Sequence, residues 1–365
     1  MSLYKRVYED LEKRRERILT GKINCIPWGL PRFEEYLPGI EQGKYYIITA
    51  NSKVGKSQIT DWLFMLNAFR QVKEEGLPIK LKIFYFSLEM PAEEKLRQMI
   101  SNLLFLKSKG TLVKSPKKLR SPKYALNKDV LRAIDEQKDY IEEFLKCITF
   151  IDNIRNPYGI YSFMRDYAMK NGVMYKKKVE IDGKLIEIND YYEASDPEEY
   201  VIPIIDHAAL LTPENNTDIR TAIGDLSSNY LVKLRNYYKQ SPVLIQQQSS
   251  AQESIENKKA GRLRPTLDGL GENKTTQRDA DVILGLFSPF RHHIPEYEGY
   301  DVKFYKDNIR FLEILGGREG GAGIICPLYF NGAVNYFKEL PLTRNIEETA
   351  KFNQKVIQLR KYEQE

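Results

Sequence analysis

The chain is poor in the residues that most often build metal centres and covalent cross-links. Among 365 residues there are three cysteines and three histidines. Cys25, Cys147 and Cys326 are scattered, odd in number and without a C-x-x-C pair. That pattern excludes a disulfide framework or a thiolate metal site and reads as reduced thiols. Two of the histidines, His292 and His293, are neighbours, so a histidine-based metal centre is excluded as well. No apolar run is long enough to cross a bilayer and no leader pattern precedes the first element, so a soluble, cytoplasmic protein with no membrane partner is expected. A strong excess of one charge is also missing: 56 basic against 50 acidic residues leave +6. Such a balance permits a nucleic-acid partner without requiring one.

What is present centres on residues 45–58, Tyr-Tyr-Ile-Ile-Thr-Ala-Asn-Ser-Lys-Val-Gly-Lys-Ser-Gln. An apolar strand pattern ends at Ala50. A tight loop follows, and a helical stripe of Ile59, Trp62, Leu66 and Phe69 begins near Ser57. Gly-Lys-Ser alone is common by chance; strand, loop and amphipathic helix together are the setting a phosphate-binding loop needs. Backbone amides from Ser52 through Gln58, with Lys53 and Val54 between, would converge on an anion. Gly55 lets the backbone pass close to phosphate, Lys56 reaches the β- and γ-phosphates, and the Ser57 hydroxyl ligates Mg²⁺. The short motif usually begins with Gly, where this chain has Ala50.

Strand and helix patterns alternate through most of the chain. Strands are expected at 82–86, 148–151, 200–205, 243–247, 282–287 and 311–315, with a closing pair at 324–329 and 333–337 that turns at Asn331-Gly332. Pro203 inside the third of these cannot donate to a ladder and argues against a regular central strand there. Helices are expected at 4–19, 92–106, 126–145, 157–169, 219–238 and 345–365, and residues 249–277 lack a period and read as mobile loop. The first helix carries a thin stripe (Tyr4, Val7, Tyr8, Leu11, Ile18, Leu19) that either packs on this domain or docks on a neighbouring subunit. An alternating pattern around Asp182-Gly183 is a hairpin that interrupts the βα order, a surface insertion over about 172–199. The whole reads as an α/β chain with a mostly parallel central sheet covered by helices on both faces, its ligand at the carboxyl ends of the strands.

The loop, Glu89, Asp206 and Gln248 all fall at or just past such ends. A nucleoside triphosphatase also needs a second Mg²⁺ anchor, a base for water, a γ-phosphate sensor and a cation for the transition state. Asp206 suits the first, Glu89 the second and Gln248 the third, with the register among Gln246, Gln247 and Gln248 open. Arg318, set between glycines, is either an arginine finger or a turn residue in solvent.

These segments resemble the ATPase domain of DnaB-family replicative helicases, ring motors of the RecA-like P-loop class. The matching stretches are Ala-Asn-Ser-Lys-Val-Gly-Lys-Ser at 50–57 (a loop that in this family also starts with Ala), Phe-Ser-Leu-Glu-Met-Pro at 86–91, and Ile-Ile-Asp-His at 204–207. Pro-Val-Leu-Ile-Gln-Gln-Gln at 242–248, Arg-Pro-Thr-Leu-Asp-Gly-Leu-Gly-Glu at 264–272, the stretch 318–323 and Phe-Asn-Gly at 330–332 complete the set. The resemblance covers about residues 20–340 in motif order. It implies a RecA-like ATPase core over 23–340, an N-terminal linker helix over 1–22 that hooks onto the next subunit, and a C-terminal helical tail over 341–365. It implies Lys56, Glu89, Gln248 and Arg318 as catalytic, Ser57 and Asp206 as metal ligands, and Arg264, Glu272, Lys274 and Arg278 on the DNA-facing loop. ATP and Mg²⁺ would be the cofactors, and single-stranded DNA, further copies in a ring (a hexamer) and a primase or loader the partners. Departures stand at Gly271 and Lys274, where the family has Arg and Gly, and at Gly316, where it has Lys. The family's N-terminal helical domain has no counterpart, an arrangement that suits a bacteriophage or mobile element by analogy. Two functions follow: a translocating, unwinding helicase, or a RecA-like DNA-dependent ATPase that binds without unwinding.

Overall fold

The computed structural model describes residues 2–214, 216–318 and 320–364, with residue 364 described by its backbone alone. A sheet of nine strands runs through it. In chain order the elements are α1 (Leu3–Leu19), β1 (Tyr46–Ala50) and α2, in which Lys56–Asp61, a π-helical Trp62–Leu66 and Asn67–Glu74 run on without a break. Next come β2 (Lys80–Ser87), α3 (Ala92–Lys107), α4 (Lys128–Asp135), α5 (Lys138–Cys147), β3 (Ile148–Ile151) and α6 (Pro157–Lys170). The hairpin β4 (Gly172–Ile181) and β5 (Lys184–Ala194) follows, then β6 (Glu199–Asp206) and α7, made of Ile219–Gly224, a π-helical Asp225–Leu231 and Val232–Tyr238. β7 (Val243–Gln247), β8 (Val282–Phe287), β9 (Ile309–Gly317), β10 (Ile325–Asn331), β11 (Tyr336–Glu339) and α8 (Ile346–Gln364) complete the chain.

The sheet order is β11-β10-β9-β8-β1-β7-β6-β2-β3. From β8 to β3 the pairs are parallel, and β9, β10 and β11 add an antiparallel edge. β1 lies in the middle, buried at all five positions, which explains its unbroken apolar run: a strand covered on both faces has no solvent side to mark. Its side chains alternate. Tyr46, Ile48 and Ala50 join the core under α2, α3 and α5. Ile47 and the preceding Tyr45 join the core under α6 and α7.

Differences from the sequence expectation have local causes. The helix expected over 126–145 is two helices, because a turn at Glu136 and Gln137 re-aims the second so that Phe144 packs on Phe69. Pro203 sits in a regular strand after all: β6 pairs with β7 only from Ile204 on, one residue past the missing donor. The 249–277 stretch holds short helical turns at Ser250–Glu253 and Ile255–Lys259, each started by a serine that caps its own turn. In the closing pair, β11 starts only at Tyr336, after Asn335 takes a left-handed conformation in the turn.

The hairpin turns at Asp182 and Gly183, both with positive φ, as a two-residue turn between twisted strands requires. α1 buries no residue. Its basic side lies against the hairpin base, with Arg6 pairing with Asp190 at 3.7 Å and stacking on Tyr191, and Arg17 pairing with Glu198. Its apolar stripe faces outward. Among the described residues no helix is long and apolar enough to cross a membrane. α8 packs Val356 and Leu359 against Phe105 and Tyr329 beside the antiparallel edge.

At the other end of the central strands, Asp281 takes a hydrogen bond from the Tyr45 amide at 2.8 Å and pairs with the buried Arg235 at 3.1 Å. Removing one member of a buried pair leaves an uncompensated charge. Asp281→Ala is therefore expected to lower the unfolding free energy by about 3 kcal/mol, read as a shift of the denaturant midpoint at constant slope.

Candidate nucleotide-binding site

At the carboxyl edge of β1 the chain turns through Asn51–Val54 and enters α2 at Lys56. Gly55 sits at φ 107°, a conformation open to glycine and strained for other residues. A helix leaves the amides of its first turn without intrahelical acceptors. Here those amides belong to Gly55, Lys56, Ser57 and Gln58 and stand at the positive end of the helix dipole, the physical requirement for an anion site.

The loop is gripped from the antiparallel edge. Arg310 of β9, 2% exposed, donates from Nε to the Val54 carbonyl at 2.8 Å and lies over the Phe330 ring at 4.5 Å. Gln58 donates to the Gly332 carbonyl at 3.0 Å. Ser52 and Lys53 complete the loop, with Lys53 exposed and in a left-handed conformation.

The register β2–β6 places Asp206 opposite Ser87 at the same edge. One carboxylate oxygen of Asp206, Oδ1, accepts from Ser57 Oγ at 2.9 Å. The other, Oδ2, faces inward, where Tyr85 Oη stands at 2.8 Å and Lys95 Nζ at 3.0 Å. Lys95 is wholly buried and also donates to both oxygens of Asp61, at 3.2 and 2.9 Å. Burial pushes the Asp206 carboxyl up, but the Lys95 ammonium and the hydrogen bonds from Lys95, Tyr85 and Ser57 outweigh it, so Asp206 is held below the usual carboxylate range. For Asp61 burial wins, aided by the Asp206 charge, and its pKa rises despite Lys95. Burial opposes the Lys95 charge, yet the two carboxylates hold its pKa above the ordinary value.

Lys56 Nζ reaches Gln247 Oε1 at 3.3 Å. Gln248, given the sensor place by the sequence, turns to the other side. It is buried, donates to Thr49 and the Thr266 carbonyl, and accepts from the Thr266 amide at 3.1 Å. Strand alternation puts neighbours on opposite faces, and among the three glutamines the structure brings Gln247 to the loop. Glu89 stands at the end of β2, half-exposed and 3.8 Å from His207. Burial, with the Lys56 charge adding, lowers the His207 pKa.

Arg318 does not join this cluster. It follows β9 at the opposite edge of the sheet, half-exposed, with its amide on the Asp281 carbonyl, Nη2 on the Arg278 carbonyl at 3.2 Å and Nε 3.8 Å from Asp281. The DNA-facing candidates lie on the loop that Gln246 and Gln248 pin to β7. Glu272, Lys274 and Arg278 are exposed, while Arg264 pairs with Glu313 at 3.6 Å. A Cβ on Gly271 would stand 2.8 Å from the Gln247 carbonyl, so close approach, rather than chance, keeps a side chain out of that place.

Sequence reasoning missed Asp61, Tyr85, Lys95, Arg310 and Gln247. The available signal was a charge on an otherwise inward-facing stripe: Asp61 between Ile59 and Leu63, Lys95 before Met99.

The Ser57 and Asp206 oxygens suit Mg²⁺, a hard cation that keeps several waters and takes few protein ligands. Among the described residues no cluster of three or more His, Cys, Asp or Glu offers an all-protein metal cage.

No family model matches the sequence, and no curated protein matches it. Solved structures do. A DnaB-like replicative helicase, described together with its interactions with primase, superimposes over 93% of this chain and 68% of its own, with a TM-score of 0.64 and 19% identity. A second solved structure, the ATPase domain of a phage DnaB-like protein, superimposes over 92% of this chain and 99% of its own, with a TM-score of 0.65 and 19% identity. The fold is that of a DnaB-like helicase ATPase domain. Within that fold, the loop at 50–57 and Asp206 face each other across neighbouring strand ends of a RecA-like sheet.

The two glutamines are expected to separate on mutation. Gln248→Ala should cost about 2 kcal/mol through the buried partners it leaves unpaired, read by thermal or chemical melting. Gln247→Ala should leave melting unchanged and reduce the preference for ATP over ADP, read by fluorescent-nucleotide competition.

Proposed function

We propose that the chain is the motor of a DnaB-type replicative helicase, which binds ATP at the Gly55-Lys56-Ser57 turn and hydrolyses it at the interface between copies. The observation that carries this reading is the placement of Arg318. β8 pairs with β1 from Val282 opposite Tyr46 to Leu286 opposite Ala50, and Arg318 follows the end of β9 beside Asp281. At ~3.3 Å per residue, about 13 Å of strand separates it from its own loop. A guanidinium there can serve a triphosphate only on another copy.

In this scheme Lys56 holds the β- and γ-phosphates, Glu89 takes the proton of the attacking water, and Gln247, in place of Gln248, reads the γ-phosphate. Ser57 and Asp206 would hold Mg²⁺, which supplies charge neutralisation across the phosphates. Arg318 of the next copy stabilises the charge that develops in transfer, a role worth about 10³-fold or more where it operates. The exposed Lys258, Lys259, Arg262, Lys274 and Arg278 would track single-stranded DNA by its phosphates. Hooking of α1 onto the next copy, a hexameric ring, and a primase or loader as partner belong to the same proposal. So does the division into a linker helix over 1–22, an ATPase domain over 23–340 and a helical tail over 341–365.

A second reading, a DNA-dependent ATPase that binds without unwinding, is favoured by Gly271, whose tight packing leaves the DNA-facing loop without a side chain there.

The test is ATP turnover and strand displacement on a forked duplex. Lys56→Ala is expected to abolish both, and Arg318→Ala to reduce turnover by about 10³-fold with nucleotide binding retained. DNA affinity should fall steeply between about 50 and 200 mM salt, roughly in proportion to the phosphates contacted. DNA-stimulated turnover without displacement selects the second reading. Full turnover by a protein that stays monomeric contradicts both.

A further inference from the structure

The buried group behind Asp206 is more than the nucleotide chemistry requires. A lysine lies between two carboxylates, all three out of water, and only one of the carboxylates faces the loop. We propose that Asp61 and Lys95 are positioning residues that set how strongly Asp206 attracts a divalent cation: Lys95 fixes the inner oxygen of Asp206, and Asp61 offsets the charge of Lys95. The inference rests on the nucleotide-site reading above and deepens it.

The geometry divides Asp206 into two halves. Oδ1 meets Ser57 Oγ at 2.9 Å, on the loop side. Oδ2 meets Lys95 Nζ at 3.0 Å and Tyr85 Oη at 2.8 Å, on the core side. A single ammonium at that distance, with no other partner, would cancel most of the Asp206 charge and leave little attraction for a cation at Oδ1. Lys95 is not left with that single partner. Asp61 accepts from it through both oxygens, at 3.2 and 2.9 Å, and stands 2.6 Å from Tyr85 Oη through Oδ1. Lys95 and Asp61 thus sum to zero. The negative unit that remains belongs to Asp206, and its orientation is fixed by two inward partners. Tyr85 has one proton for two carboxylates, so it bridges Asp61 and Asp206 while Lys95 donates to its oxygen at 2.6 Å.

The elements explain why the cluster is rigid. Asp61 lies on α2 within the turn after Ser57, Tyr85 on β2 two residues before Ser87, and Lys95 in the first turns of α3. Each is fully buried. The loop helix, the strand that carries Glu89 at its end and the following helix are therefore joined through one charged node. Partners that orient a metal-ligating carboxylate typically change metal affinity by about 10- to 100-fold when removed.

The charges give opposite signs to two substitutions, which packing alone does not. Asp61→Asn keeps the shape and leaves the Lys95 charge unshared. Lys95→Gln removes the cation beside Asp206. Asp61→Leu combined with Lys95→Met removes both charges and restores the balance. The readout is Mn²⁺ affinity by loss of the free-ion electron paramagnetic resonance signal, with full-length protein and a non-hydrolysable ATP analogue, each variant first checked for a cooperative melt. Asp61→Asn should weaken Mn²⁺ about 10- to 100-fold and Lys95→Gln should tighten it, while the double variant should lie within about three-fold of wild type. Should either single variant fail to fold, the remaining single variant and the double variant carry the same test. Asp61→Asn with wild-type affinity, weakening by both single variants alike, or a double variant shifted like Asp61→Asn overturns the inference. A wild-type protein that holds neither Mn²⁺ nor the analogue overturns the nucleotide-site reading itself, and the inference with it.

Discussion

One carboxylate held from two sides organises the structure. Asp206 reaches the edge of the sheet with one oxygen toward Ser57 and the other toward a buried ammonium. Neither contact exists without the register of β2 on β6, which sets Ser87 beside Asp206. Isolated, an ionised carboxylate at this depth would be far too costly to keep. Paired, it is retained and pointed. The sheet thus does more than form a core: its hydrogen-bond ladder fixes a charge at the place where a loop of unpaired amides opens.

The same economy of placement appears around the loop. Arg310 comes from the antiparallel edge, buries its guanidinium and holds the Val54 carbonyl. Gln58 reaches the turn after β10, and Asn331 of β10 ties that turn to Glu363 of α8. The C-terminal helix, the edge hairpin and the phosphate-loop candidate are therefore one connected body. On the far edge Asp281 gathers Arg235, the Tyr45 amide and Arg318. The candidate finger is thereby tied to the strand that begins the loop, at the end of the sheet away from it.

Much of this was legible in residue order. The unbroken apolar run before Asn51, the Gly-Lys-Ser turn and the stripe of α2 name a strand, a loop and a helix without ambiguity, and β3, β7 and β8 begin and end where the pattern says. The Asp182-Gly183 turn announced its hairpin through the one backbone geometry those residues favour. Other features were hidden for physical reasons. Three successive glutamines carry no mark of which faces the loop, since the choice depends on strand phase. Lys95 and Asp61 sit 34 positions apart, and each alone looks like a surface charge; only the fold brings them together. Pro203 misled because a missing donor matters only where a neighbour asks for it, and here β7 begins to pair one residue later.

The proposed chemistry turns on a site that one chain cannot complete. Equal mixing of the Lys56→Ala and Arg318→Ala proteins tests this most directly, because each variant retains the half the other lacks. If the site is shared, random assembly forms about a quarter of interfaces with both residues present, and ATP turnover should reappear from two inactive preparations in roughly that proportion. Turnover that stays at the level of the separate variants, in a mixture shown to co-assemble, would contradict it.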